Sequence, residues 1–164
     1  MATQLPTHLM GPGSVIQVVR ADDGSAFIST TLAPTAGNVA IASSLTALIM
    51  SASITPKFSS SILIVNANAS LGNLGNYAVY LGLFKDSEST SRASHQAMGW
   101  GVAGNASVPV PLQYSMVAGA TSAISFSLRF GTTSGSTAYV NGNAANSLAL
   151  LPALTTITIT EVAA

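Results

Sequence analysis

Ile124-Ser125-Phe126-Ser127-Leu128-Arg129-Phe130 puts an apolar side chain at every even position and a polar one at every odd position. Successive side chains of a β-strand point to opposite faces, so this period of two is what one buried and one exposed face produce. The stretch Thr155-Thr156-Ile157-Thr158-Ile159-Thr160-Glu161-Val162 alternates in the same way, threonine against isoleucine. Ile124, Phe126, Leu128, Phe130, Ile157 and Ile159 are therefore the predicted core, with Ser125 and Ser127 facing out.

Outward from these two strands, nearly every readable segment is β-rich. Ser14–Arg20 and Ser25–Thr31 flank Ala21-Asp22-Asp23-Gly24. Asp-Gly between β-rich runs predicts a hairpin, because glycine accepts a positive φ without steric cost. Leu45–Ile54, Ser61–Ala67 and Tyr77–Phe84 follow as strands. Val108–Met116 also reads as extended, but Pro109 and Pro111 cannot donate to a ladder. That segment must lie at a sheet edge or enter its sheet only after Pro111. Ala33–Ser44, Asp86–His95 and Thr132–Asn146 read as the stretches between strands. No window of helical length carries an apolar stripe with a cap, and no internal repeat or heptad is present. Eight or more short strands make an all-β, antiparallel β-sandwich or barrel.

The 164 residues suit one domain with its own core. There is no cysteine, which removes disulfides and thiolate metal sites. Charged residues make up 6% of the chain, against about 25% in an average soluble domain, and the net charge is zero. The basic residues Arg20, Lys57, Lys85, Arg92 and Arg129 are scattered, so the clustered footprint of a nucleic-acid binder is missing. Mean hydropathy is +0.51, yet no run approaches the ~18–20 apolar residues of a spanning helix. The best stretch, Val39–Ile54, is broken by Ser43, Ser44, Thr46, Ser51 and Ser53. Residues 1–13 have neither the basic start nor the apolar run of a secretory signal. Neither nucleic acid nor membrane is expected as a partner. So uncharged a surface is either carpeted in Ser, Thr and Asn or buried against copies of itself, and the tendency of neutral surfaces to associate favours the second.

Catalytic chemistry finds little to work with, and no catalytic residue, metal ligand or cofactor site is assigned. His8 and His95 have no partner at metal-ligand spacing. Asp22 and Asp23 are accounted for by the turn they precede. Gly99-Trp100-Gly101-Val102-Ala103-Gly104 matches a dinucleotide fingerprint in letters alone, since Asn105-Ala106-Ser107-Val108-Pro109 cannot open a helix. The sequons at Asn68 and Asn105 have no secretory signal to give them meaning. Glu161 shares a face with Ile157 and Ile159, while Arg129 lies opposite its strand's apolar face. The pattern leaves open an ion pair between them or two unrelated surface charges.

The C-terminal half resembles a domain of tailed-bacteriophage virion proteins. The residues that carry the resemblance are Pro111–Gly131, then Ala138-Tyr139-Val140-Asn141-Gly142, then the Thr-rich close Leu154–Val162. Val15-Ile16-Gln17-Val18-Val19 and Ile54–Ile64 extend it into the front half. The resemblance implies a trimeric jelly roll that serves as a capsid decoration (cement) protein or as the head of a tail or capsid fibre. Its implied partners are two further copies of the chain and the major capsid protein or another virion protein. Its implied location is the exterior of the virion, after assembly in the host cytoplasm. Fibre heads usually follow a long shaft, whereas here residues 1–13 alone precede the domain at 14–164. Those thirteen residues are either a tail or an arm that contacts the capsid, with Leu5, Leu9 and Met10 as anchors and Pro6 stiffening the path.

Overall fold

In a computed structural model of the protein, the structure describes residues 11–30, 40–72, 78–98, 107–132, 137–142 and 153–164. Among the described residues ten strands run in chain order: β1 (Val15–Asp23), β2 (Phe27–Ser29), β3 (Ala47–Ile54), β4 (Ile62–Gly72), β5 (Ala78–Lys85), β6 (Ala93–Met98), β7 (Ser107–Val117), β8 (Ile124–Thr132), β9 (Ala138–Val140) and β10 (Thr155–Val162). Every ladder is antiparallel.

One sheet runs β7-β4-β10-β1, and the short pair β9-β2 joins it at the last two residues of β4, Leu71 and Gly72. The other runs β3-β8-β5-β6. With β2 and β9 set aside, the long strands alternate between sheets in the order of a jelly roll: first, eighth, third and sixth in one layer, second, seventh, fourth and fifth in the other. The fold is thus an antiparallel jelly-roll sandwich.

The inner faces meet in one apolar core. From the first sheet come Leu63, Val65, Ala67, Ala69, Val110, Leu112, Ile157 and Ile159; from the second come Ile49, Ile54, Val79, Leu81, Leu83, Ile124, Phe126, Leu128 and Phe130. In β10, Thr156, Thr158 and Thr160 face outward and are only partly covered.

Two features depart from the sequence reading. The Asp22-Asp23-Gly24 segment does not close a hairpin, because β1 pairs with β10 while β2 pairs with β9. A two-residue hairpin turn of the usual type needs positive φ at both central residues, and Gly24 does not take one. Instead the Ser25 amide donates to Asp23 Oδ1 at 2.7 Å, and the chain crosses to the neighbouring ladder. The stretches read as loops also contain strand: β6 begins inside Asp86–His95, and β9 lies inside Thr132–Asn146. The proline-bearing strand resolves in favour of the edge. β7 pairs along its whole length with β4, and among the described residues no strand pairs on its other side.

Strand β5 is covered on both faces. Val79, Leu81 and Leu83 face the sandwich core, while Ala78, Tyr80 and Phe84 form a second buried cluster with Ile41. Ile41 is held there by its chain neighbourhood: Ser91 N donates to Ile41 O at 2.9 Å, and Ile41 N donates to Ser91 Oγ at 2.8 Å. Gly82 lies on this outer side, where a Cβ would meet the Phe84 ring at 2.9 Å. The backbone there is glycine because the ring occupies the space of a side chain.

Candidate functional site

The outer face of the β7-β4-β10-β1 sheet is organised in rows set by register. One row is Arg20, Thr158, Asn66 and Gln113, and the next is Asp22, Thr156, Asn68 and Pro111. Residues of these two rows line a shallow depression of about 440 Å³. Asn66, Asn68, Gln113, Thr156 and Thr158 give it amides and hydroxyls that both donate and accept, with no formal charge in the lining. At the flank, Arg20 Nε and Asp22 Oδ1 approach to 3.6 Å and neutralise each other. Such a surface can exchange hydrogen bonds with another uncharged surface or a hydroxylated ligand. It offers no nucleophile and base in mutual reach.

Beneath that face, two polar knots fix the sheet. The first is at Glu161, wholly buried at the end of the core beside Ile159. Its Oε1 accepts from Lys57 N at 2.8 Å and Phe58 N at 3.2 Å. Its Oε2 accepts from Gln17 Nε2 at 2.6 Å, and the same amide donates to Thr55 O at 2.8 Å. A register shift between Val15 and Gln17 marks where β1 meets this knot. Burial alone would raise the carboxyl's pKa. The neighbouring Ser61 hydroxyl, the Gln17 amide and the two backbone N–H groups outweigh it, and the net shift is downward. Ser61 Oγ acts there as a nearby dipole, since it closes no hydrogen bond of normal geometry. The geometric contacts that define the knot are those of Gln17, Lys57 and Phe58.

The Glu161–Arg129 ion pair left open by the sequence does not form. The two residues lie in different sheets, and each is satisfied elsewhere. Arg129 stacks with its guanidinium carbon 5.9 Å from the Phe84 ring centroid, and its Nη1 donates to Ser43 O and Thr46 O, each at 3.4 Å. Glu161 faces inward with Ile157 and Ile159, as their shared parity requires.

The second knot is Asn141, also wholly buried and held at φ +56°. Its Nδ2 donates to Asp23 O at 3.0 Å and Ser25 O at 3.1 Å; Thr155 Oγ1 donates to its Oδ1 at 3.3 Å, and its own N–H reaches Ser70 O at 2.9 Å. Asn141 thus ties the ends of β1, β4 and β9 to the start of β10. The Asn-Gly pair was the visible signal, since asparagine tolerates the left-handed region. Asn141→Gly keeps that backbone conformation and deletes the side chain. It is expected to cost about 2 kcal/mol in urea unfolding, from two stranded carbonyls and a hydroxyl left without its acceptor.

Other singled-out residues scatter. His95 is exposed on β6, Asp22 is exposed beside Arg20, and Asp23 caps the turn at Ser25. The Ser25 amide holds the Asp23 carboxyl below its ordinary range. Asn68 lines the depression on β4. The arm residues Leu5, Pro6, Leu9 and Met10, together with His8, Gly99–Gly104 and Asn105, lie outside the described residues. Among the described residues, no three His, Cys, Asp or Glu side chains are grouped to hold a metal.

These features define a jelly-roll domain of zero net charge with a polar depression on one exposed sheet face. No protein-family profile matches the chain, and no curated protein does. Among solved structures it is similar to the VP2 subviral particle of infectious bursal disease virus, at 15% identity and a TM-score of 0.43, over 91% of this chain and 40% of that one. It is likewise similar to T=1 particles derived from infectious bursal virus, at 15% identity and a TM-score of 0.45, over 99% of this chain and 42% of that one. The chain spans about two fifths of the length of those chains.

Proposed function

We propose that this protein is a structural, non-enzymatic component of a virus particle: a homotrimeric decoration protein that binds a bacteriophage capsid shell from outside and stabilises it. The observation that carries the reading is the jelly-roll strand order, in a chain whose sequence resembles phage virion domains over most of 14–164. The scarcity of charge agrees with it, because a nearly neutral surface is suited to packing against protein and poorly suited to staying dispersed alone. Its partners are then two further copies of itself and the major capsid protein or another virion protein. It acts on the exterior of the virion and is assembled in the host cytoplasm. Residues 1–13 serve as an arm laid on the shell, with Leu5, Pro6, Leu9 and Met10 in contact. Burying such anchors contributes ~25 cal/mol per Å² before ordering costs, and many arms on one particle act together.

The depression over Asn66, Asn68, Gln113, Thr156 and Thr158 favours a second reading, a fibre head that holds a host-surface receptor through that face. Two measurements separate the readings. Full-length protein and a truncation lacking residues 1–10 are mixed with undecorated capsids, and occupancy is measured. Full-length protein is expected to fill the shell, and the truncation to bind more weakly. Failure of the full-length protein to bind any shell overturns the decoration role. Equal binding by both removes the arm from the contact. A count of copies in purified virions distinguishes a coat of many from a few fibres.

A further inference from the structure

Asn141 is the chain's only asparagine followed by glycine. Asparagine is thermolabile, and most so before glycine, where no Cβ keeps the next backbone nitrogen from the side chain. Once solvent base has taken the proton from Gly142 N, that nitrogen can attack Asn141 Cγ. The new N–Cγ bond closes a cyclic succinimide while the Cγ–Nδ2 bond breaks. Nδ2 leaves as ammonia, protonated by water, and the base is regenerated. A water molecule then opens the ring. Entry at Cγ gives aspartate, and entry at the backbone carbonyl carbon gives isoaspartate, so an amide and water become a carboxylate and ammonium.

The fold withholds what this reaction needs. Asn141 is wholly buried and Gly142 is buried beside it, out of reach of base and water. Nδ2 donates to Asp23 O at 3.0 Å and to Ser25 O at 3.1 Å, so expelling it strands two buried carbonyls. The products do not fit the same place. Aspartate sets an oxygen against those two carbonyl oxygens and buries a negative charge with no counter-charge beside it. Isoaspartate carries the backbone through the former side chain, adding a methylene where the φ of +56° sets the bend. We propose that Asn141-Gly142 is a self-modification site, open in the unfolded chain and closed by folding, whose conversion bars a chain from the native fold. Chain order favours this. Thr155, which completes the knot by donating to Asn141 Oδ1, is the first residue of β10 and follows Asn141 in sequence. The pair therefore stays open until the last strand has docked.

The test incubates the full chain in warm, mildly alkaline buffer, folded in one arm and held unfolded by guanidinium chloride in the other. Tandem mass spectrometry of the peptide that holds Asn141 reads the mass gained when an amide becomes an acid. With an unfolded fraction on the order of 10⁻³ or less, the folded arm is expected to convert at least about a hundredfold more slowly. Denaturant is then diluted out at successive times, and folded chains are separated from unfolded and aggregated ones. The folded fraction is expected to carry unmodified Asn141, and the converted chains to collect in the other. Asn141→Gly has no amide to lose, so its refolding yield should not fall with time in denaturant. If that variant does not fold, the sorting of wild-type chains between the two fractions decides alone. Equal conversion in the two arms overturns the proposal, as do converted chains that refold as completely as unmodified ones.

Discussion

Glu161→Ala is expected to lower folding stability by about 4 kcal/mol, although position 161 lies on no surface. The substitution deletes the acceptor for Lys57 N, Phe58 N and Gln17 Nε2 in a place water does not reach. Each stranded buried donor costs ~1–3 kcal/mol, and hydrogen bonds to a charged group are the stronger kind. Glu161→Gln should cost less, about 2–3 kcal/mol, because one oxygen survives but an NH₂ group now faces a donor. The same knot sets an acid limit. The folded carboxyl has a pKa below its ordinary value of 4.5, so the native state holds its proton less tightly than the unfolded chain does. Its contribution is fully present above that ordinary value and is lost as pH falls through the lower, folded value. Urea midpoints measured from neutral pH down to about pH 3 should fall in the wild type and fall less steeply in Glu161→Gln. Identical pH slopes would remove Glu161 from the acid response.

Phe126→Ala is expected to cost about 3–5 kcal/mol, a loss of roughly 10 °C in Tm, whereas Ser127→Ala should cost under about 0.5 kcal/mol. Phe126 is wholly buried, opposite Ala52 of β3 and Lys85 of β5 in the central strand of its sheet. β8 itself is held in ladders on both sides, by β3 and β5, so the cavity left by the ring cannot collapse cheaply. Ser127 sits on the other face, half-covered. Equal, small effects of the two substitutions would mean that β8 packs with the opposite face inward.

The fold class was legible because β8 alternates through Phe130 and β10 through Thr160, and an alternation of that length has one reading. The prolines of β7 left an edge position or a late entry into the sheet, and pairing with β4 along the whole strand settles on the edge. What stayed hidden depends on partners distant in sequence. Ala93-Ser94-His95-Gln96-Ala97-Met98 has no apolar period of its own and becomes β6 because β5 supplies its ladder. Strand β9 holds three residues, too few for any period to show. The Glu161 knot was missed for a related reason: two of its donors are backbone N–H groups, which every non-proline residue has. The parity of Glu161 with Ile157 and Ile159 did point inward, and an inward carboxylate implies donors before it implies an ion pair. The apolar run of β5 could have warned that both its faces are covered, because a strand with one wet face would have shown polar residues at every second place.

The position of β10 has a consequence for how the protein is made. β10 lies between β1 and β4, pairing with both, yet it is the last strand in sequence order. While the ribosome is still translating, the first sheet is therefore two separate halves, each with an unpaired edge toward the missing strand. Neither half has its inner layer of Ile157 and Ile159, and the Glu161 knot has no carboxylate. Cooperative folding must wait for the C-terminal strand, since contacts between sequence-distant segments close last. A chain cut short before β10 thus never presents the finished sheet face.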